Sequence, residues 1–297
     1  MSAFIKAIER KPVAGVFSLL MVWFSLALGH TQVVLQHGAL PMGALDTSIS
    51  FLLGFAGFVL VWMGMKRPEN QATMMGWVGG AFIWCGWFEW TWRYTAHILE
   101  IEGIYADGMM ILSPELLMIQ ATTLLVVAML IFFGANKDTR CRMFLWFHRN
   151  LKLKPDTMTP GYKRQYARIA ALETVFLIWA IYLFAIFFND PRGIKYDSIT
   201  AMILTLVFVI WGCYLIFKLM SIRGLGATFR YAIPAGNIMW LPIEAFARWG
   251  LYPEVWVKPV EYPVTMSTVF ILYLVGCYAM YMTDRKPAPQ AATPATA

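Results

Sequence analysis

Charge is scarce in this sequence: only 14% of its 297 residues are Asp, Glu, Lys or Arg, against about a quarter in an ordinary soluble domain. Histidine is scarcer still. There are four, His30, His37, His97 and His148, and none follows residue 148. This excludes a membrane di-iron hydroxylase with its histidine-rich cage. A two-haem cytochrome b needs histidine pairs inside spans, whereas these four read as span-end or loop residues. Cysteine is also sparse. Cys85, Cys141, Cys213 and Cys277 show no CxxC spacing, and three of them lie in apolar blocks, which argues against a disulfide framework or a structural zinc site. The period-2 alternation of barrel strands is missing. No small-residue cleavage site follows the first apolar block, which therefore reads as a retained anchor.

What the sequence has is apolar length. Hydrophobic residues make up 59% of the chain and the mean hydropathy is +0.59. They gather in blocks of about 20, enough to cross the hydrocarbon core as helices. The expected fold is an all-α polytopic membrane protein with about eight transmembrane segments. Seven are clear, near 13–28, 49–65, 74–92, 116–133, 170–188, 199–217 and 264–282, and one is Pro/Gly-broken at 231–248. Pro234, Gly236 and Pro242 interrupt that segment, which is tolerated at membrane depth only where protein packs around it.

The net charge of +7 is explained by loops rather than by nucleic acid. Lys6, Arg10 and Lys11, the Lys66–Arg67 turn, the basic stretch 135–168, Lys218 with Arg223 and Arg230, and Arg285–Lys286 all fall on one side of an eight-span arrangement. The positive-inside tendency makes that side cytoplasmic, with both termini on it, in a bacterial inner or intracytoplasmic membrane. The other side carries the acidic loop 95–111, the Asn189-Asp190-Pro191 turn and Glu254.

Ionisable groups at or within a membrane are functional candidates by default. His30 and His37, seven residues apart on the outer side, together with His97, form one candidate metal set. Asp190 is a second candidate ligand, or simply a turn former. Glu89 and Arg93 have the spacing of a salt bridge along one helix face, the more usual role, and Glu89 is alternatively a catalytic acid. The 19 methionines include Met109, Met110 and Met118, soft donors suited to Cu(I) but more often packing residues.

Several local patterns occur in a suggestive order. Glu102-Gly103-Ile104-Tyr105 is followed by Ser113-Pro114-Glu115-Leu116. Thr159-Pro160 opens a basic segment that leads to Trp179-Ala180-Ile181-Tyr182. Leu241-Pro242 precedes Trp249-Gly250 and Pro263. From about residue 74 onward the chain resembles the C subunit of the copper membrane monooxygenases, the particulate methane and ammonia monooxygenase family, whose EGVY…APEF, TP…WAIY and LP…NEWGH…APLH stretches run in this order. Glu89–Tyr94 is a local echo of the EWxxRY stretch of that family's A subunit. The resemblance divides the chain into a two-span hairpin (1–72), a helical membrane domain like the family's C subunit (73–285) and a disordered Pro/Ala-rich tail (286–297).

The departures fall on the ligands. Asp190 matches the family's copper-binding aspartate, but Ile194 stands where its first histidine belongs. Ala247, Leu251 and Thr265 occupy the second ligand set. Such side chains offer copper no imidazole. The resemblance therefore implies copper in the complex rather than in this chain's usual sites. It implies an oligomer with monooxygenase-like membrane subunits and a cupredoxin-like subunit, surrounded by lipid. Three functions compete: a structural or accessory subunit of such a complex, a working subunit of a divergent copper monooxygenase acting on a small C–H or N–H substrate, and a small-molecule transporter or lipid-binding membrane protein.

Overall fold

The computed structural model describes residues 2–106, 109–135 and 159–284, together with positions 138, 145, 148–150, 152 and 157. The tail 286–297 and most of the basic stretch after residue 135 lie outside the described residues. Among the described residues the fold is all-α apart from one short hairpin. Helix α1 (Ser2–Ile8) leads into α2 (Val13–Ala39) and α3 (Ala44–Gly64). Then α4 (Glu69–Ile83), a π-helical turn (Trp84–Glu89) and α5 (Trp90–Ile98) form one continuous run. Strands β1 (Ile104–Ala106) and β2 (Met109–Leu112) pair antiparallel. Helices α6 (Pro114–Ala121), α7 (Thr123–Ala135), α8 (Tyr166–Asn189), α9 (Ile199–Leu219), α10 (Leu225–Arg248) and α11 (Pro263–Thr283) follow.

Among the described residues, five helices are long and apolar enough to cross a membrane: α2, α3, α8, α9 and α11. There are six if α6 and α7, bent by 44° at Thr122, count as one span. The chain thus has the make-up of a multi-pass membrane protein. The expected eight is not reached on length and hydropathy. The run from α4 to α5 is divided by its π turn and carries Glu89 and Arg93, while α10 holds two prolines, Asn237, Glu244 and arginines at both ends. Helices walled in by protein need not be apolar all round. Accordingly, Phe229, Ala232, Ile233, Ala235 and Leu241 of α10 are all buried.

The middle of the bundle is α2, α4, α8 and α10. Helix α4 packs on α3 and α8, while α10 packs on α2, α8 and α9. In the most apolar stretch of α8, 61% of residues are buried, against 22% in that of α9. α8 is therefore central and α9 peripheral, its Leu206, Ile210 and Phe217 facing outward. The main core joins Leu19 and Val22 of α2, Trp77 of α4, Phe229 and Ile233 of α10, and Tyr273 and Met280 of α11. Close helix approach needs glycine: a Cβ on Gly76 would stand 2.1 Å from the Ala167 carbonyl oxygen, and one on Gly57 2.5 Å from that of Gly79. At the basic end Arg230 donates to Glu69 and Thr73, and Asn70 accepts from the Gly226 N–H, tying α10 to the start of α4.

Three sequence expectations are corrected here. The segment 231–248 is not broken: Pro234 and Pro242 lie within a continuous helix that dense packing sustains. His30 and His37 are not in a loop, because α2 continues to Ala39 and stops only at Leu40-Pro41. At 27 residues it is about 40 Å long, more than a hydrocarbon core requires. Arg93 does not pair with Glu89. It donates instead to Asp46 at the start of α3, a carboxylate with no exposed side-chain surface that also accepts from Gln36. A fully buried Asp needs a cation more than a cavity-facing Glu does.

Candidate functional site

Near the acidic-loop end, α2, α8 and α10 diverge around a cavity of about 290 Å³. Each helix contributes one face. Helix α2 supplies Leu26, His30 and Val33, and α8 supplies Ile178, Ile181, Tyr182, Ala185, Ile186 and Asn189. Helix α10 supplies Asn237, Trp240, Glu244 and Arg248. These are the i, i+3, i+4, i+7 sets that share one side of a helix. Glu89, at the end of the π turn, enters from a fourth direction. Such a turn inserts an extra residue and re-aims the side chains after it. Ser113, Glu115 and Leu116 after the hairpin, and Glu254, Trp256 and Val257 after α10, complete the wall.

The centre of the cavity is a hydrogen-bonded pair. The His30 Nε2–H donates to Glu244 Oε1 at 2.9 Å, and the Trp240 Nε1–H, one turn earlier on α10, donates to the same oxygen at 2.6 Å. The His30 ring lies nearly parallel to Tyr182 on one side (centroids 6.1 Å apart, 17°) and to Trp240 on the other (6.2 Å, 19°). Trp240 in turn leans on Trp256 at 4.9 Å. The imidazole is thus held in orientation by rings on two helices and by one carboxylate. The side chains of His30 and Glu244 keep 23% and 20% of their surface, so they face space rather than protein.

Glu89 differs. It is 8% exposed, it lines the cavity, and among the described residues its carboxylate has no hydrogen-bond or ion-pair partner. Trp84, Phe88, Trp92 and Trp179, on the same π turn, the next helix and α8, pack on one another in an aromatic cluster and give it none. An ionised carboxylate is costly in such a setting unless a cation, a proton or water compensates it. At the rim, Ser113 Oγ donates to Glu115 at 2.6 Å. Burial pushes the Glu254 carboxyl up from its usual range, against the opposing pull of Arg248.

The predicted site residues are dispersed. His30 alone enters the cavity. His37 stands seven residues on, about 10 Å along the axis. His97 is exposed on α5, in a separate surface depression with Arg93 and Glu100. Asp190 terminates α8 outside the cavity, and both its oxygens are taken. Arg192 Nε–H donates to Oδ1 at 2.9 Å, Arg192 Nη2–H to Oδ2 at 2.8 Å, and Gln120 to Oδ2 at 3.3 Å. The Arg192 guanidinium holds the Asp190 carboxyl well below its usual range, at about 2. Among the described residues no group of three or more His, Cys, Asp or Glu side chains could hold a metal ion. Copper in the arrangement that the resemblance implies does not fit these residues: Asp190 is committed to Arg192, and Ile194, Ala247, Leu251 and Thr265 are not ligands.

Glu244, Trp240, Tyr182 and Glu115 were not singled out as site residues by the sequence. The available signal was the spacing of Trp240, Glu244 and Arg248, four apart on a helix otherwise low in charge. No family model, no curated protein and no solved structure matches this chain.

Proposed function

We propose that this chain is a multi-pass membrane protein that binds a small polar solute in the cavity around His30, Glu89 and Glu244. One observation carries the reading: a hydrogen-bonded His–Glu pair and a second, unpartnered carboxylate face the same cavity within the helical bundle. Ionisable groups inside a membrane bundle are functional candidates by default. In this reading the chain crosses the membrane eight times, with α4–α5 and α10 as shielded spans. Both ends lie on the basic, cytoplasmic side of a bacterial inner membrane, and the cavity faces the opposite side. The test is thermal unfolding of the full chain in nanodiscs against a panel of small solutes, cationic, neutral and anionic. At least one should stabilise the wild type and lose that effect in Glu244→Gln. Stabilisation by none of them contradicts the reading.

A second reading has its own support. Three of the stretches that resemble the monooxygenase C subunit meet at this cavity: Glu115 and Leu116, then Tyr182, then the Leu241–Trp249 turns that carry Glu244 and Arg248. In this reading the chain is an accessory subunit of a copper monooxygenase-like membrane complex, the copper lying in its partners. The outward apolar faces of α9 and α11 then meet other subunits as well as lipid. Gentle solubilisation should recover a second polytopic subunit and a cupredoxin-like subunit with copper. Recovery of this chain alone contradicts that reading.

A further inference from the structure

The cavity's charge is unbalanced. Glu89, Glu115, Glu244 and Glu254 face it, while the opposing groups are the Arg248 guanidinium at its rim and the His30 imidazole. With all four carboxyls ionised, even a doubly protonated His30 leaves a negative excess. Low-dielectric walls magnify such an excess, because charges there are poorly screened. Glu244 spends one oxygen on His30 and Trp240, and Glu115 spends one on Ser113. Glu89 is more than nine-tenths buried, lines the cavity and has no partner among the described residues. The cavity is thus arranged for positive charge, with Glu89 its least satisfied anion.

The kind of cation follows from the rest of the wall. A hard metal ion takes about six to eight oxygens in a tight shell or a close cluster of side-chain donors. The described residues bring no such cluster together. A volume of about 290 Å³ is far more than a bare ion fills, and Val33 of α2 and Ile178 and Ile181 of α8 add apolar surface to its lining. An ammonium group with a short carbon body satisfies both: N–H donors for the carboxylate, and hydrocarbon for the apolar lining.

We propose that this cavity is a binding site for a small organic ammonium ion, its charged group held by Glu89 and its carbon body by Val33, Ile178 and Ile181. The inference rests on reading the cavity as a solute site, and it adds the sign of the charge and the anchoring residue.

The test uses three probes of matched size on the full chain in nanodiscs: n-butylammonium, n-butanol and butyrate, read by calorimetry. Butylammonium should bind the wild type, bind Glu89→Gln about tenfold or more weakly, and regain most of its affinity in Glu89→Asp, which keeps the charge. Each variant's unliganded unfolding temperature is measured alongside, so that a folding defect is not read as lost binding. Binding of butanol or butyrate as tight as that of butylammonium overturns the charge assignment and leaves the solute site standing. Butylammonium affinity unchanged in Glu89→Gln places the cation elsewhere and overturns the proposal. Full displacement of butylammonium by sodium or potassium at equal concentration overturns the organic class. Binding of none of the probes, with no other solute stabilising the chain, removes the solute site itself.

Discussion

His30 on α2 and Glu244 on α10 are 214 positions apart in sequence and 2.9 Å apart in space, and both side chains line the cavity. Their hydrogen bond joins the first long helix to the penultimate one. The segment 1–72 is therefore part of the site and contributes its imidazole.

Breaking this pair should cost stability as well as binding. Glu244→Leu leaves the His30 and Trp240 N–H groups without an acceptor and should destabilise the chain by about 1–3 kcal/mol. Glu244→Gln keeps an acceptor and should cost less. A double-mutant cycle with His30→Ala, read by unfolding in mixed micelles, should give a coupling clearly above zero. Additive losses would mean that the two side chains do not interact.

Asp190 and Arg192 make a pH prediction. The folded carboxyl titrates at about 2, below its usual range, so in the window between the two values the unfolded chain binds more protons. The stabilisation is then fully present above the usual carboxylate range and fades as pH falls toward about 2. The stability difference between wild type and Asp190→Asn should be flat above that range and shrink on acidification. A difference that grows on acidification would reverse the sign.

Much of the fold was legible in the sequence, and the reason is physical. Helices α3, α9 and α11, whose sides are mostly outward-facing, are apolar along their length, so the hydropathy blocks mark them well. The shielded elements were less legible. Inside α10, Pro234 and Pro242 read as a break, yet neighbours on several sides hold the helix together, and no local pattern reveals those neighbours. The end of α2 was misplaced because histidine and glutamine look like loop residues, whereas Gln36 donates to Asp46 and Ser50 of the next helix and His30 meets Glu244. The site was half legible. Its groups were visible as scarce charges in apolar surroundings, but the pairing of residue 30 with residue 244 depends on tertiary packing alone. The π turn that aims Glu89 left no signature in Trp84–Glu89 that spacing could expose.

Packing of α4 makes a steric prediction. Gly76 faces backbone atoms of Ala167, which cannot move aside as a flexible side chain would. Gly76→Val should force α4 and α8 apart and destabilise by about 1–3 kcal/mol or more. A substitution on the outward face of α9, such as Leu206→Val, should stay within about 1 kcal/mol. Equal effects in thermal unfolding would contradict the assignment of centre and periphery.

Topology is open to labelling. Cysteines introduced at Lys258 and at Arg67, in a background lacking the native cysteines, should react with an impermeant thiol reagent from opposite sides of the membrane. Reaction of both from one side would remove the proposed arrangement of spans.

The most direct measurement concerns access to the cavity itself. Ala185 is small, partly exposed and lines the cavity on α8. Ala185→Cys in proteoliposomes of known orientation should react with a small cationic methanethiosulfonate applied on the acidic-loop side, and Glu89→Gln should slow that reaction. A thiol at residue 185 that stays unreactive from both sides, while the protein remains folded, would show the His30–Glu244 centre to be sealed packing rather than a solute site.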